Sequence, residues 1–232
     1  MMPLDYSCDL TSEILGRLSV SDEQLKRKHA GQARAMIVDV QAIREALGMG
    51  DWQTVLSNAQ LELAPDVLSG CYFVLSYQAY ARLYTAIREL YGHASHGILN
   101  RIGRIAFRHF VETQSEHMAA ISIALRLMPL KARKIFILRV VARTLSENNS
   151  HQPARLDEDD GQLTLVDPES PACNGVVSDH PICWHTVGFL EEALRWATAQ
   201  EFRVEEITCR AQGGAVCTFA VAREPNTPLS LA

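Results

Sequence analysis

The stretch from His180 to Phe219 decides the fold prediction for this chain, and it reads HPICWHTVGFLEEALRWATAQEFRVEEITCRAQGGAVCTF. Val187, Leu190 and Leu194 recur at helical spacing, so the first half is predicted to be a helix with one buried face. The second half contains two strand-like runs on either side of a Gly-Gly turn, which predicts a β-hairpin. The segment also holds three of the six cysteines in the chain.

Those three cysteines and one glutamate form a candidate metal site. Cys209 and Cys217 flank the hairpin turn, so they can face each other across the two strands. Glu206 precedes Cys209 by three residues, which would put their side chains on opposite faces of a regular strand. A β-bulge or the end of the strand therefore has to bring them together. Cys183 lies at the start of the helix, where the helix dipole favours a thiolate.

Two interpretations of this cluster remain open on the residues alone. Zinc prefers four tetrahedral ligands drawn from thiolate, imidazole and carboxylate groups, and the cluster offers such groups. The spacing fits no zinc-finger pattern, however, and three buried cysteines can also act as small hydrophobic side chains.

Upstream of the cluster the chain is predicted to be mostly helical. Helices are predicted over residues 21–48, 51–58, 76–90, 93–113, 115–127 and 130–145, followed by a β-hairpin that turns at Asp160 and Gly161. The helix at the start of the quoted stretch is predicted to begin with Pro181 at its first position. The order of helices, hairpin, helix and hairpin predicts an α+β fold with helices packed on an antiparallel sheet.

Two features of the central helices indicate close packing or a pocket. A stripe of aromatic and aliphatic side chains is either a core face or a pocket wall, because tyrosine has an apolar body and a polar tip; it comprises Tyr77, Tyr80, Tyr84, Ile87 and Tyr91. Gly97 and Gly103 lie within the next helix, where glycine lowers helix stability and often permits the close approach of another helix or a ligand.

Charge and composition favour an ordinary globular protein and exclude a nucleic-acid binder. The chain has 232 residues, 47% of them hydrophobic, and a net charge of −5. One basic cluster is predicted to be the solvated face of an amphipathic helix; it comprises Lys131, Arg133, Lys134, Arg139 and Arg143. The N-terminus lacks the pattern of a secretory signal, and no apolar run is long enough to span a bilayer. A cytoplasmic protein is therefore expected, in which clustered cysteines are metal ligands or redox groups rather than structural disulfides.

The end of the chain resembles the 4-vinyl reductase domain, hydrocarbon-binding type. The pattern E-x-x-C-x-A-x-G-x-x-x-C-x-F of that family runs here from Glu206 to Phe219. The end of the chain is also similar to the sensor domain of aromatic-responsive transcription activators. In those proteins a cysteine on the preceding helix binds zinc together with the glutamate and the two cysteines of the motif. The resemblance therefore implies a zinc site at Cys183, Glu206, Cys209 and Cys217, with Cys173 as the nearest rival of Cys183.

The same resemblance implies a fold, a domain division and a dimer. The fold is that of nitric-oxide-signalling haem domains and Golgi transport subunits, in which helices and an antiparallel sheet enclose an apolar cavity. A ligand-binding domain is expected at residues 65–225, preceded by an N-terminal helical segment at 1–64 and followed by a flexible tail at 226–232. Family members are commonly homodimers, and this chain lacks the ATPase and DNA-binding domains of the activators, so a sensor would need an unknown downstream partner.

Three functions follow from these expectations. The first is a zinc-containing sensor that binds a hydrophobic or aromatic small molecule; its candidate ligand-binding residues are Tyr77, Tyr84, Phe107, Trp184, His185 and Trp196. The second is an accessory protein or vinyl reductase of tetrapyrrole metabolism, although no nicotinamide or flavin motif is present. A tetrapyrrole function could also involve haem, with His93, His96 or His109 as its ligand. The third is an assembly subunit that acts through its surfaces.

Overall fold

The computed structural model describes residues 35–61, 72–113, 115–148 and 152–225. The predicted helix start at Ser21 and the predicted tail at 226–232 lie outside these ranges. The described residues form one hydrophobic core, to which both the N-terminal elements and the C-terminal half contribute buried side chains.

The described chain opens with two strands and two helices. Strand β1 is Ala35–Asp39, helix α1 is Val40–Leu47, helix α2 is Met49–Asn58 and strand β2 is Tyr72–Ser76. The two strands pair in an antiparallel sheet. Helix α2 confirms the short helix that the sequence predicted at 51–58.

The predicted continuous helix over residues 21–48 is wrong at 35–39, where the chain is strand β1. The reason is a partner distant in sequence, because β1 pairs with β2 in a register that places Ala35 opposite Ser76. Asp39 then ends the strand and caps α1, since its Oδ1 accepts a hydrogen bond from the backbone N–H of Ala42 at 2.8 Å.

Helices α3 and α4 follow β2. Helix α3 is Tyr77–Tyr91, and the side chain of Ser76 caps it by accepting from the N–H of Ala79 at 3.2 Å. A 3-10 turn, Gly92–Ala94, leads into α4, which is Ser95–Thr113. The tyrosine stripe lies mostly on a core face, because the side chains of Tyr77, Tyr80 and Tyr84 are each buried and Tyr91 is half-buried.

A charged contact attaches the start of α1 to α4. His109 Nδ1 lies 2.8 Å from Asp39 Oδ2, and His109 Nε2 lies 3.6 Å from Glu45 Oε2. The hydrogen bond to Asp39 raises the pKa of His109 above its usual value, and this gain exceeds the effect of burial, which lowers it. Protonated His109 therefore stabilises the packing of α1 on α4.

Replacing His109 with glutamine is expected to destabilise the protein in a pH-dependent way. A raised folded-state pKa contributes stability that is fully present below the unfolded value of about 6.5 and is lost as the pH rises through the folded value. The difference in unfolding free energy between wild type and His109→Gln should be about 1 to 3 kcal/mol below pH 6.5, typical of a charged hydrogen bond, and should shrink at higher pH. Urea unfolding at several pH values measures it; a difference that grows with pH would contradict the expected charge state.

Two more helices precede the large sheet. Helix α5 is Ser115–Arg126 and α6 is Leu130–Asn148. The prediction of a solvated basic face on α6 is wrong at Lys134, which is 7% exposed. Its Nζ donates to the carbonyl oxygens of Ala222 and Arg223 at 3.0 and 2.9 Å and lies 4.2 Å from the centroid of the Phe202 ring. Carbonyl and aromatic partners offset the cost of burying this cation.

The large sheet has four antiparallel strands in the order β3-β4-β6-β5. They are β3 Arg155–Asp159, β4 Gln162–Asp167, β5 Val204–Thr208 and β6 Cys217–Val221. Helix α7, Trp184–Thr198, connects the two hairpins and packs on β5, while α6 packs on β3 and β4. The helix begins three residues later than predicted, because Cys183 occupies the N-cap and Pro181 precedes it.

Helices α4 and α7 cross with their backbones in direct contact. A Cβ atom at Gly103 would lie 2.0 Å from the carbonyl oxygen of His185, and one at Gly188 would lie 1.9 Å from that of Asn100. The predicted close packing at Gly103 is therefore confirmed, whereas a Cβ at Gly97 would meet nothing within 4 Å. Beside the crossing, Arg104 Nη2 lies 2.7 Å from Glu191 Oε2.

The predicted α+β class, with helices packed on an antiparallel sheet, is confirmed. Among the described helices, none combines the length and the apolar character that a bilayer span requires.

Candidate metal centre and ligand cavity

Four buried cysteines meet at one end of the large sheet. Their Sγ atoms all lie within 4.8 Å of one another, and each side chain is at most 6% exposed; they are Cys173, Cys183, Cys209 and Cys217. Four thiols concentrated in this way are a ligand set for a thiophilic metal ion.

Each cysteine is placed by the end of a secondary-structure element. Cys173 ends the 3-10 turn Pro171–Cys173, which follows β4. Cys183 is the N-cap of α7, Cys209 follows β5, and Cys217 is the first residue of β6. The centre therefore connects the turn that follows β4, the start of α7 and both strands of the β5–β6 hairpin.

The turn between β5 and β6 explains the glycines of the motif. The carbonyl oxygen of Cys209 accepts from the N–H groups of Gln212 and Gly214, both at 3.1 Å. Gly213 has φ +88°, which favours glycine, and a Cβ at Gly214 would lie 2.9 Å from the Cys209 carbonyl oxygen. This tight wrapping fixes Cys209 and Cys217 on the two sides of one turn.

The distances between the sulfurs suit a tetrahedral metal. Cys173 Sγ lies 3.4, 3.6 and 3.6 Å from the Sγ atoms of Cys183, Cys209 and Cys217, and Cys183 Sγ lies 3.7 Å from that of Cys217. A zinc ion with bonds of about 2.3 Å to four sulfurs separates them by about 3.8 Å. A disulfide would require about 2.05 Å. The donor set and its spacing therefore fit a four-coordinate ion.

The four thiols change one another's pKa. Neighbouring thiols, Cys173 first among them, lower the pKa of Cys209 by donating hydrogen bonds to its thiolate. Hydrogen bonding to Cys173 is the largest cause that raises the pKa of Cys183 and Cys217, and burial raises it further. Four thiolates can share such a buried space only when a cation balances their charge.

Glu206 lies beside the cysteines but outside the group of close ligand atoms. Its Oε2 accepts a hydrogen bond from the backbone N–H of Cys183 at 2.8 Å, and its Oε1 is buried with no hydrogen-bond partner among the described residues. Burial raises the pKa of this carboxyl group to about 8. The predicted β-bulge is confirmed, since the β5–β6 register shifts between Glu206 and Thr208. Of the predicted ligand set, the structure brings the three cysteines together and adds Cys173.

Four of the six predicted ligand-binding residues form one aromatic wall. His185 makes an edge contact with Tyr84 at 5.4 Å, and Phe107 makes one with Trp196 at 6.2 Å. Phe189 connects the two pairs, because its ring centroid lies 6.5 Å from that of His185 and 5.2 Å from that of Phe107. This residue was not among the predicted ones. Burial lowers the pKa of His185 to about 4, so its imidazole is neutral at pH 7.

The remaining two predicted residues lie elsewhere. The ring of Trp184 packs on that of His96 at 4.0 Å, at the start of α7. Tyr77 lines a partly open cavity of about 800 Å³ between α3, the end of α2 and residues 174–176, which follow Cys173. Its lining is mixed. Ala81 and Val176 lie beside Tyr77, and the polar part of the lining includes the amides of Asn58, Gln60, Gln78 and Asn174 and the charged side chains of Arg82 and Glu89. The cavity thus shares a wall with the loop that carries one of the clustered cysteines.

The histidines considered for haem have other surroundings. His109 interacts with Asp39 and Glu45, and His96 stacks on Trp184. His93 is exposed in the 3-10 turn before α4. Because Asp39 bonds the Nδ1 of His109, haem ligation by this histidine would have to use Nε2, which lies 3.6 Å from Glu45 Oε2.

Comparison with known families and curated proteins supports the resemblance over the last part of the chain. The family model of the 4-vinyl reductase domain matches residues 168–223, a range that contains all four clustered cysteines. None of the curated proteins compared matches the chain. The similarity to the sensor domains of aromatic-responsive activators stays a prediction.

Comparison with solved structures shows the fold. A point mutant of an H-NOX protein from T. Tengcongensis has a TM-score of 0.52 at 14% identity, covering 81% of this chain and 94% of that chain. An Fe(II) unliganded H-NOX mutant from K. algicida has a TM-score of 0.52 at 12% identity, and the match covers 82% of this chain and 93% of that chain. A triple mutant of an H-NOX protein from S. oneidensis in the Fe(II) ligation state has a TM-score of 0.51 at 12% identity. The match covers 82% of this chain and 94% of that chain. The predicted nitric-oxide-signalling fold is therefore confirmed.

Proposed function

We propose that this chain is a small-molecule-binding module whose ligand-binding domain is held closed by a zinc ion on Cys173, Cys183, Cys209 and Cys217. The observation that carries the metal assignment is the spacing of the four sulfurs, which suits a tetrahedral site. Four of the six separations are 3.4 to 3.7 Å, and all six are within 4.8 Å. Four protein ligands leave no open position for water or substrate, so the role of the metal is structural.

The proposed ligand set differs from the one that the resemblance implies. Cys173 takes the fourth position, and Glu206 instead holds the backbone N–H of Cys183 through its Oε2. A carboxyl group whose oxygen accepts a hydrogen bond from the backbone of a ligand residue orients that residue, as outer partners of metal sites commonly do. Purified protein should contain about one zinc per chain by elemental analysis; protein that contains none after expression with added zinc would contradict the metal assignment.

We place the ligand in the cavity beside residues 174–176. Its volume of about 800 Å³ lies in the range of about 300 to 1,000 Å³ that is typical of small-molecule sites. Tyr77, Ala81 and Val176 offer apolar surface, and the surrounding amides offer donors and acceptors. The expected ligand therefore has an apolar body and hydrogen-bonding groups, which makes it more polar than the hydrophobic ligand that the resemblance implies. The aromatic wall around His185 is the alternative place for an apolar ligand.

Neighbouring loop positions provide a matched test of the cavity. Val176 lines the cavity, whereas Val177 is 94% exposed. Saturation-transfer NMR with a set of aromatic amides, alcohols and acids should detect binding to wild type and to Val177→Trp, and should lose it in Val176→Trp. Binding that survives in Val176→Trp but is lost in His185→Ala would move the ligand to the aromatic wall. No binding by wild type would contradict a ligand-binding role.

A second candidate function is that of an assembly subunit, and the surface around the α5–α6 connection favours it. Ile123, Leu127 and Leu130 are 66%, 86% and 37% exposed, which places three large apolar side chains on one part of the surface. We propose that this surface supports the homodimer that the resemblance implies. Sedimentation equilibrium should give a dimer for wild type and a monomer for Leu127→Glu; a monomeric wild type would exclude this role.

A further inference from the structure

Arg88 on α3 is half-buried, and its guanidinium group has one buried, unused donor. Its Nη2 donates to Thr85 Oγ1 at 2.6 Å, whereas its Nη1 is buried and has no hydrogen-bond partner among the described residues. A buried donor without a partner destabilises the folded protein, and more so when it carries charge. Local sequence offers no obvious reason to keep such a group at this position.

The surroundings of Arg88 supply the reason. Helix α3 packs against the 3-10 turn that ends in Cys173. Burial lowers the pKa of Arg88, and negative charge on Cys173, then on Cys183, Glu89 and Cys209, acts in the opposite direction. Three of these four groups belong to the cysteine cluster, and the fourth, Glu89, is an exposed neighbour on the same helix.

The charge of the proposed centre requires compensation. A divalent ion with four thiolates carries a net charge of about −2 in a buried site, where uncompensated charge is costly. Few donors reach the sulfurs: the backbone N–H of Arg210 donates to Cys217 Sγ at 3.4 Å, and Ser170 Oγ lies 3.4 Å from Cys183 Sγ. Both are neutral groups.

We infer that Arg88 is a positioning residue of the metal centre, whose guanidinium group supplies positive charge that four buried thiolates need. The inference rests on the proposed metal function. Arginine suits this role better than lysine, because it keeps its charge when buried and presents several donors in a rigid plane.

The inference predicts opposite effects in the metal-free and metal-bound protein. Without metal, Arg88 is a half-buried cation with an unpaired donor, so Arg88→Met should leave the thermal unfolding midpoint unchanged or raise it. With metal, loss of the charge should weaken zinc binding by about 10- to 100-fold, the usual cost of removing an outer partner of a metal ligand. If Arg88 only filled space, its replacement would lower the stability of the metal-free and the metal-bound protein equally.

The experiment is a competition between the full chain and a zinc chelator of known affinity. Wild type, Arg88→Met, Arg88→Lys and the control Arg82→Met are titrated at fixed pH; Arg82 lies on the same helix but is exposed. Arg88→Met is expected to weaken zinc binding, Arg88→Lys to restore only part of it through charge, and Arg82→Met to match wild type. If wild type and Arg88→Met bind zinc with equal affinity, the proposed role of Arg88 is wrong, whereas the metal centre itself is not contradicted. A wild type that takes up no zinc overturns the metal centre itself.

Discussion

Replacing Cys173 with serine is expected to abolish tight zinc binding and to destabilise the whole C-terminal half of the chain. The four cysteines connect the turn after β4, the start of α7 and both sides of the β5–β6 turn, so losing one ligand releases four elements at once. A ligand present at about 1,000 times its dissociation constant stabilises the folded state by about 4 kcal/mol, and this stabilisation should be lost. Chemical unfolding with and without a chelator measures the loss.

The matched control for this substitution is Glu206→Gln. Glutamine retains an oxygen that can accept from the backbone N–H of Cys183, so this variant should keep its zinc and most of its stability. If Glu206→Gln lost its metal while Cys173→Ser kept it, the ligand set would be Cys183, Glu206, Cys209 and Cys217, as the family resemblance implies.

Replacing Gly188 with alanine is expected to destabilise the fold strongly. The added Cβ would lie 1.9 Å from the backbone oxygen of Asn100 and 2.7 Å from its carbonyl carbon. Backbone atoms cannot rotate away as a side chain can, so α4 and α7 must separate. Overpacking of this kind costs about 1 to 3 kcal/mol or more, which exceeds the gain of up to about 1 kcal/mol in helix propensity.

Gly97 on α4 provides the opposite result. A Cβ at this position meets nothing within 4 Å, so Gly97→Ala should stabilise the protein by about 0.5 to 1 kcal/mol through helix propensity. Urea unfolding of the two alanine variants should therefore give shifts of opposite sign. A Gly188→Ala variant as stable as wild type would show that the two helices do not cross at this distance.

The local patterns of the last third predict its helix and its second hairpin. Helical spacing in the run from Val187 to Leu194 and the Gly-Gly turn are properties of short segments, and both elements form, although α7 begins three residues later than predicted. The β-bulge next to Glu206 is also predictable, because residues three apart on a strand cannot otherwise share a face.

Features that depend on distant partners cannot be predicted in this way. Residues 35–39 form a strand because residues 72–76 pair with them, and no pattern within residues 21–48 reveals that partner. Lys134 is buried because two carbonyl oxygens of residues 222 and 223 reach its Nζ across the fold. The unused donor of Arg88 has no sequence signature at all, since it depends on the surroundings of one nitrogen.

Cys173 lies between these two cases. Its presence in a loop between the two hairpins is a visible signal, which makes it a rival for one metal position. The sequence cannot decide its role, because the choice depends on how the turn after β4 folds back towards α7. In the structure, Cys173 Sγ is the atom with close contacts to all three other sulfurs, at 3.4 to 3.6 Å.

X-ray absorption spectroscopy at the zinc edge of the purified full chain tests the central claim most directly. The ligand set of Cys173, Cys183, Cys209 and Cys217 predicts four sulfur neighbours at about 2.3 Å and no oxygen or nitrogen in the coordination shell. A shell of three sulfurs and one oxygen at about 2.0 to 2.2 Å would contradict it and would return Glu206 to the metal in place of Cys173.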